Sequence, residues 1–220
     1  MSLPVYFVCQ APQPPPGRIA LCGWHCAPDG TLRGPEVPGR ADALVFDDRA
    51  PLPDIPDTLT DALLQAAGCI GAEVIVLDFE RSVSPCACRL AEALAARHRT
   101  AAPVRFCTGA CEPIRCYSPA AQTFPEFLST AGGWIELRPV RETVRYDIGG
   151  ALPSGDGQDF FSELLQCRYR ARQTADGLLI ELFDSPESFR TRTQRLSGSF
   201  TAALALQWEL TALGYPNDPK

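Results

Sequence analysis

The apolar positions of the chain form short runs that alternate, over much of its length, with stretches of helical period. Strands buried on both faces read as near-continuous Val, Ile and Leu runs, whereas helices place apolar residues three and four positions apart. Between 56 and 68, for example, Leu59 and Leu63 begin the apolar stripe of a helix. The strand candidates are 4–9, 18–24, 42–48, 73–80, 103–109, 177–184 and 202–210.

One region breaks this rhythm. The stretch that starts at Trp134 alternates like a half-exposed strand, and 166–183 has the pattern of a hairpin with arginines along one face. Strands that alternate with helices predict a mostly parallel sheet. About eight strands favour a small or reduced TIM-type (β/α)8 barrel with an antiparallel β insertion between about Trp134 and Leu182, in a single domain over residues 1–220. An open doubly wound sheet is the alternative.

Composition narrows the possible partners. Hydrophobic residues make up 45% and charged residues 21%, as in a folded soluble protein. The formal charge of −6 disfavours a nucleic-acid partner. No apolar run approaches the ~20 residues of a membrane helix. The first 16 residues lack the basic region and cleavage site of a secretion signal, so we expect a cytoplasmic protein.

The ten cysteines, without an export signal, predict free and mostly buried thiols. Two groups invite a metal interpretation, Cys22 with His25 and Cys26, and Cys86 with Cys88. Neither has the paired C-x2-C spacing of structural zinc sites. We therefore expect no metal, and a cysteine-rich redox or metal protein is the least favoured hypothesis.

The segment EVIVLDFE at 73–80 places two carboxylates at the end of a buried strand. Side chains alternate across a strand, so Val74, Val76, Asp78 and Glu80 share one face. That face continues an apolar interior into two acids. One interpretation is that the strand reaches solvent at this point. The other is that Asp78 and Glu80 form a functional pair.

Other acids also follow apolar strands. Because the carboxyl ends of barrel strands form the active-site rim, we expect these acids to meet there. No Gly-rich phosphate loop follows any strand, so we expect no nucleotide and no other cofactor. The further rim candidates are Asp47, Asp48, Asp184 and Glu209, with Trp208 beside Glu209, and Trp24 near the end of the second strand.

These residues resemble family 18 glycoside hydrolases, the chitinase-like barrels, whose fourth strand carries D-x-x-D-x-D-x-E. The pattern covers Glu73, Val76, Asp78 and Glu80; the last two match, Glu73 is a conservative replacement, and Val76 departs. The fourth strand candidate is also the one that bears the pattern. The segment that ends in Trp208 looks like the family's last strand with its tryptophan, most like the spore-associated branch in clostridia and their relatives.

The resemblance implies a barrel that hydrolyses or binds a carbohydrate, an N-acetylated amino-sugar glycan. Glu80 would be the general acid, and Asp78 would orient the N-acetyl group and raise the pKa of Glu80 by like-charge repulsion. Trp208 would form the floor of the sugar site, and Tyr146 would be the tyrosine of the sixth strand. Because Val76 replaces an acid, a catalytically inactive barrel that binds a glycan or a protein remains the alternative.

Overall fold

The computed structural model describes residues 3–10, 17–36, 39–50, 52, 56–79, 84–105, 132–146, 158–175 and 177–214. Its strands are β1 (Val5–Cys9), β2 (Arg18–Cys26), β3 (Leu32–Arg33), β4 (Ala43–Asp47), β5 (Val74–Asp78), β6 (Thr100–Ala101), β7 (Pro103–Arg105), β8 (Trp134–Leu137), β9 (Arg141–Tyr146), β10 (Asp159–Ser162), β11 (Cys167–Thr174), β12 (Gly177–Phe183) and β13 (Ala202–Leu206). The helices in the described ranges are α1 (Pro56–Ile70), α2 (Pro85–Ala95), α3 (Pro186–Leu196) and α4 (Gln207–Leu213).

A parallel sheet closes almost completely into a barrel. Neighbouring strands follow chain order from β1 through β2, β4 and β5, and β13 returns to pair with β1. The closure depends on β6 and β7, which only Ala102 separates: β6 pairs with β5, and β7 pairs with β8. With β6 and β7 counted as one interrupted strand, the barrel has seven strands. The predicted small TIM-type barrel is confirmed, with one strand fewer than the eight we expected.

Alternation divides the side chains of the barrel strands between an interior and an outer face, with one interruption in β2. The interior is packed from all sides, and the rings of Tyr6 and Trp134 lie 4.5 Å apart near the amino end of their strands. Both of these aromatic side chains are buried, so they fill the interior near that end. The buried interior side chains are Tyr6, Val8, Ala20, Ala43, Val45, Val74, Val76, Ala101, Trp134, Ala202 and Leu204.

Helices cover the outer face in two separate groups. On one side α1 and α2 pack their apolar stripes against β2, β4 and β5. Leu63 and Leu90 of the helices lie in one buried cluster with Leu44 and Ile75 of the strands. On the other side α3 and α4 pack against β8, β13 and β1, where Phe189 lies in a second cluster. The helix predicted between 56 and 68 is confirmed as α1.

Serine caps begin two of these helices. The Ser84 side chain accepts a hydrogen bond from the Ala87 backbone N–H, and Ser185 forms a reciprocal capping box with Ser188. A proline follows each serine at the first helical position. The short helix α4 differs, because its N-cap is Leu206 and no side chain caps it.

The predicted antiparallel insertion is also present. The strands β10, β11, β12 and β9 form a separate sheet in that order, inserted between β8 and α3. Its hairpin of β11 and β12 lies within the predicted range 166–183, with Thr174 opposite Gly177. Two expectations were wrong in detail. The run at 177–184 forms β12 of this sheet and not a barrel strand, and Trp134–Leu137 is a buried barrel strand and not a half-exposed one.

Of the described cysteines, Cys9, Cys22, Cys26, Cys69 and Cys88 are free thiols. Cys9, Cys26 and Cys167 are buried, while Cys69 and Cys88 are exposed, so burial is less general than we predicted. The remaining three, Cys107, Cys111 and Cys116, lie outside the described residues. In the described part of the chain, no helix is both long and apolar enough to cross a membrane.

Candidate functional site

The carboxyl ends of the barrel strands form an opening that we call the barrel mouth. On β5 the predicted division of faces is confirmed: Val74 and Val76 lie in the interior, and Ile75 and Leu77 pack against the helices. Alternation then gives Asp78, a half-buried residue, the interior side at the mouth. Glu80 lies outside the described residues, so its role as the general acid stays a prediction.

Asp47 is the neighbour of Asp78 across the sheet. The two aspartates are register partners at the ends of β4 and β5, so their side chains emerge side by side. Asp47 is not a bare charge, because Arg49 donates to it twice: Nε to Oδ1 at 2.7 Å and Nη2 to Oδ2 at 2.5 Å. This hydrogen-bonded pair raises the pKa of Arg49 above its ordinary value. Asp48 follows Asp47 as a half-buried residue.

A β-bulge in β2 decides which residues of that strand reach the mouth. Leu21 pairs with Leu44 but Trp24 pairs with Phe46, so two residues of β2 stand opposite one residue of β4. Gly23 in the bulge has φ +99°, a conformation that favours glycine. The extra residue reverses the faces of everything that follows it.

Because of the bulge, Trp24 lies on the outer face of the barrel, and its predicted contact with substrate stays a prediction. Trp24 is buried in the layer under α1, and a Cβ atom at Gly34 would lie 2.4 Å from its ring. His25 takes the interior side instead, as the register partner of Asp47, with Nδ1 3.1 Å from the Gly23 carbonyl oxygen. Sequence reasoning missed His25 as a mouth residue. The glycine before Trp24 was the available signal, since glycine inside a strand often marks a bulge.

Cys22 lies in the interior near the mouth. Its thiol donates to the Cys9 carbonyl oxygen at 3.3 Å, and it packs against the interior cluster. Burial raises the pKa of Cys22 from 9.0 to about 11. The group is therefore a neutral thiol at physiological pH, which makes it a packing residue and a poor nucleophile.

Trp208 lies at the mouth, although not on a strand. We expected a strand over 202–210, but β13 ends at Leu206 and α4 begins at Gln207. The indole ring is 54% exposed and lines a cleft of about 740 Å³ between α4 and the end of β1. The described lining of that cleft is Val8, Cys9, Gln10, Gln207, Trp208, Thr211 and Ala212. An exposed aromatic ring beside two amide side chains suits a flat, hydroxyl-rich ligand.

Glu209 faces away from this cleft and is bound by an arginine. Arg138, just after β8, donates from Nε to Glu209 Oε2 at 3.0 Å and from Nη2 to Oε1. Glu136 lies 3.9 Å from the same guanidinium and is only 8% exposed on the interior side of β8. Glu136 and Arg138 were missed, because a strand read as half-exposed gives no reason to expect a buried acid.

Two other candidates are not at the mouth. Asp184 is buried, where it binds Arg192 at 2.7 Å and accepts the Val140 backbone N–H at 2.8 Å. It follows directly after β12, a strand of the antiparallel sheet, so it does not join the rim acids. Tyr146 lies on β9 of that same sheet, whereas the sixth barrel strand is Trp134–Leu137. Its proposed contact with substrate stays a prediction.

The site therefore differs in charge from the cluster of acids that we expected. Asp47, Glu209 and Asp184 each form an ion pair with an arginine, so little like-charge repulsion remains among them. Within the described ranges, no group of three or more His, Cys, Asp and Glu side chains is arranged to hold a metal ion. What the structure brings together at the mouth is Asp78, Asp47 with Arg49, His25, and the cleft of Trp208.

Comparison with known proteins finds likeness in structure alone. No protein-family model and no curated protein matches the chain. The spore cortex-lytic enzyme SleL of Bacillus cereus matches with a TM-score of 0.57 and 13% identity, over 93% of this chain and 70% of that one. A protein of Bacillus subtilis named as a sporulation-specific glycosylase, ydhD, matches with a TM-score of 0.51 and 12% identity, over 84% of this chain and 89% of that one. At such low identity the likeness establishes a shared fold.

Proposed function

We propose that this protein processes a glycan that contains N-acetylated amino sugars, with Glu80 as the general acid and Asp78 as its partner. The observation that carries the proposal is the position of Asp78 on the interior side of the fourth barrel strand, at the carboxyl end. Barrel enzymes act at that end of the barrel. The resemblance of 73–80 to family 18 glycoside hydrolases assigns the same strand.

The proposed chemistry is substrate-assisted hydrolysis. Glu80 protonates the glycosidic oxygen, while the N-acetyl oxygen of the substrate attacks the anomeric carbon and Asp78 orients the acetamido group. Water then opens the cyclic intermediate and returns the proton to Glu80. Arg49 holds the Asp47 carboxylate in one orientation, in which it offers a fixed acceptor to sugar hydroxyls. The route uses no cofactor.

The substrate follows from two separate supports. Trp208 offers an exposed ring for stacking on a pyranose, beside Gln10 and Gln207 as hydrogen-bonding side chains. The two proteins of similar fold are named for spore cortex lysis and for a sporulation-specific glycosylase. A peptidoglycan-type glycan, which alternates N-acetylated amino sugars, is therefore the substrate class that we propose to test first.

A second candidate is an inactive barrel that binds the same glycan. Val76 favours it, because this side chain is 0% exposed in the apolar interior, where the family pattern has a carboxylate. Loss of that acid removes a neighbour with which Asp78 would share a proton. The cleft of Trp208 needs no catalytic acid and would serve binding alone.

The test compares three variants on N-acetylglucosamine oligomers and on purified spore cortex. Glu80→Gln should lower hydrolysis by about two to four orders of magnitude, the usual contribution of a positioned general acid. Asp78→Asn should also lose activity. The matched control is Glu92→Gln, because Glu92 lies on the outer helix α2, is exposed, carries the same charge and is not part of the family pattern. It should leave activity unchanged.

Three outcomes separate the candidates. Loss of activity in Glu80→Gln with an unchanged melting temperature supports the hydrolase. If the wild type binds the oligomers but hydrolyses neither substrate, the binding module is correct. Unfolding of Glu80→Gln would make Glu80 a structural residue and contradict the catalytic assignment.

A further inference from the structure

The helix that carries Trp208 has few interactions of its own. It spans seven residues, no side chain caps its N-terminus, and Leu210 is its only fully buried residue. A helix this short is unstable in isolation, so tertiary contacts must fix its orientation. Any position of the Trp208 ring over the cleft therefore depends on what holds α4 to the barrel.

Arg138 supplies the strongest described polar contact to this helix. Its guanidinium donates to both carboxylate oxygens of Glu209, and a two-point contact fixes direction as well as distance. The side chains are 37% and 22% exposed, so water screens the pair only in part. Because β13 lies between β1 and β8, the Arg138 contact and the Trp208 cleft lie on opposite sides of α4.

The arginine itself is held by a buried network. Its backbone carbonyl accepts a hydrogen bond from Arg192 Nη2 at 2.8 Å. Arg192 is fixed in turn by Asp184 at 2.7 Å, with the two side chains 3% and 0% exposed. Asp184 also accepts the Val140 N–H, so the segment after β8 is fixed on both sides of residue 139. A rigid base allows Arg138 to restrain α4.

We propose that Arg138 is a positioning residue for ligand binding: through Glu209 it fixes α4 and so holds the Trp208 ring over the cleft. The ligand itself rests on the proposed function, but the orientation of Trp208 does not. Without Arg138, α4 varies more in its orientation on the barrel. The entropic cost of ordering the Trp208 ring then falls on the binding of the ligand. The effect belongs to affinity, because Trp208 stacks on the ligand and does not transfer a proton.

The first measurement needs no ligand. Fluorescence anisotropy of Trp208 is obtained by subtracting a Trp208→Phe reference, which leaves the buried Trp24 and Trp134. Arg138→Met should lower the anisotropy and raise quenching by acrylamide. Arg138→Lys, which keeps the charge but not the two-point contact, should lie between Arg138→Met and the wild type. Arg97→Met breaks the exposed pair with Asp61 and serves as the matched control with no effect.

The second measurement is the Kd for an N-acetylglucosamine oligomer. Arg138→Met should raise it about threefold to tenfold, as expected when one more side chain must be ordered on binding, with kcat within about twofold. Unchanged Trp208 anisotropy in Arg138→Met, or an equal loss of affinity in Arg97→Met, overturns the inference. If Arg138→Met does not fold, Glu209→Gln decides by the same criteria. If the wild type binds no glycan, the proposed function fails and anisotropy alone decides the positioning role.

Discussion

The two sides of the barrel are held by different forces. Under α1 and α2 the buried helix residues are apolar except for Thr60, with Leu59, Leu63 and Leu90 among them. Under α3 three of the five buried residues are polar, and Arg192 forms a buried ion pair with Asp184. The apolar side carries the predicted catalytic strand β5, and the polar side carries Trp208 and the antiparallel sheet.

The two kinds of interaction differ in how strictly they fix the geometry of the packed elements. Apolar burial is non-directional, and its contribution to stability is roughly proportional to the buried area. The packing of α1 and α2 on the barrel therefore does not depend on exact side-chain directions. Charged hydrogen bonds fix geometry more sharply, but breaking one leaves an uncompensated buried charge. Substitutions on the two sides should therefore cost different amounts of free energy of unfolding. A loss on the polar side should also be recovered in part by a second substitution that removes the remaining charge.

The largest effect is expected from Arg192→Met. Removing one partner of a buried pair typically costs about 3–5 kcal/mol, since Asp184 would keep a buried charge. Asp184→Asn combined with Arg192→Met should recover part of that loss, because no buried charge remains. Urea denaturation measures both free energies of unfolding. A single variant within about 1 kcal/mol of wild type would contradict the buried-pair description.

A somewhat smaller loss is expected on the apolar side from Leu63→Ala. Leu63 is 0% exposed, and such a truncation costs about 2–5 kcal/mol through lost burial and the cavity left behind. Leu64→Ala, the half-buried neighbour on the same helix, is the control and should cost clearly less. Urea denaturation again measures the free energy of unfolding. Equal losses in Leu63→Ala and Leu64→Ala would contradict the assignment of Leu63 to the buried face of α1.

The two serine caps allow a direct comparison at smaller scale. Ser84→Ala removes one capping bond and should cost about 1 kcal/mol. Ser185→Ala should cost nearer 2 kcal/mol, because Ser185 closes a capping box and also accepts from Arg168 Nε at 3.1 Å. Thermal unfolding of both variants tests the order. A larger loss at Ser84 would reverse the comparison.

The smallest effect on stability at neutral pH is expected from Cys22→Ala. Cys22 lies in the barrel interior, between the apolar and the polar side. Its pKa is raised to about 11 by burial, so the folded state favours the neutral thiol. An unfolded chain releases this proton first, from its ordinary value of 9.0, and stability is lost as pH rises from there toward 11. The urea midpoint of Cys22→Ala should fall less between pH 8 and pH 10.5 than that of wild type. Exposed Cys69→Ala should behave like wild type.

Much of the apolar side could be predicted from the sequence. The run from Val74 to Leu77 correctly indicated a strand buried on both faces, and alternation correctly assigned the interior to Val74 and Val76. The antiparallel insertion was visible as a change of period, with a glycine at the hairpin turn. Hydrophobic period is a local signal, so these features need no knowledge of distant residues.

The polar side could not be predicted in the same way. The pairing of Arg138 with Glu209 joins residues 71 positions apart, and nothing local marks either partner. The end of β13 was missed because AALALQWEL continues its apolar run into α4, which has no capping residue to announce it. Glu136 was missed because alternation alone does not say that both faces of β8 are buried.

The bulge at Gly23 has a consequence for how this strand could change during evolution. Loss of Gly23 itself would remove the bulge, and Trp24 and His25 would keep Phe46 and Asp47 as their partners. A substitution that straightened the strand at unchanged length would instead shift the later residues by one position, so that Trp24 would turn inward and His25 outward. A single substitution at this glycine is thus an accessible evolutionary route between an imidazole-bearing and an aromatic-lined entrance.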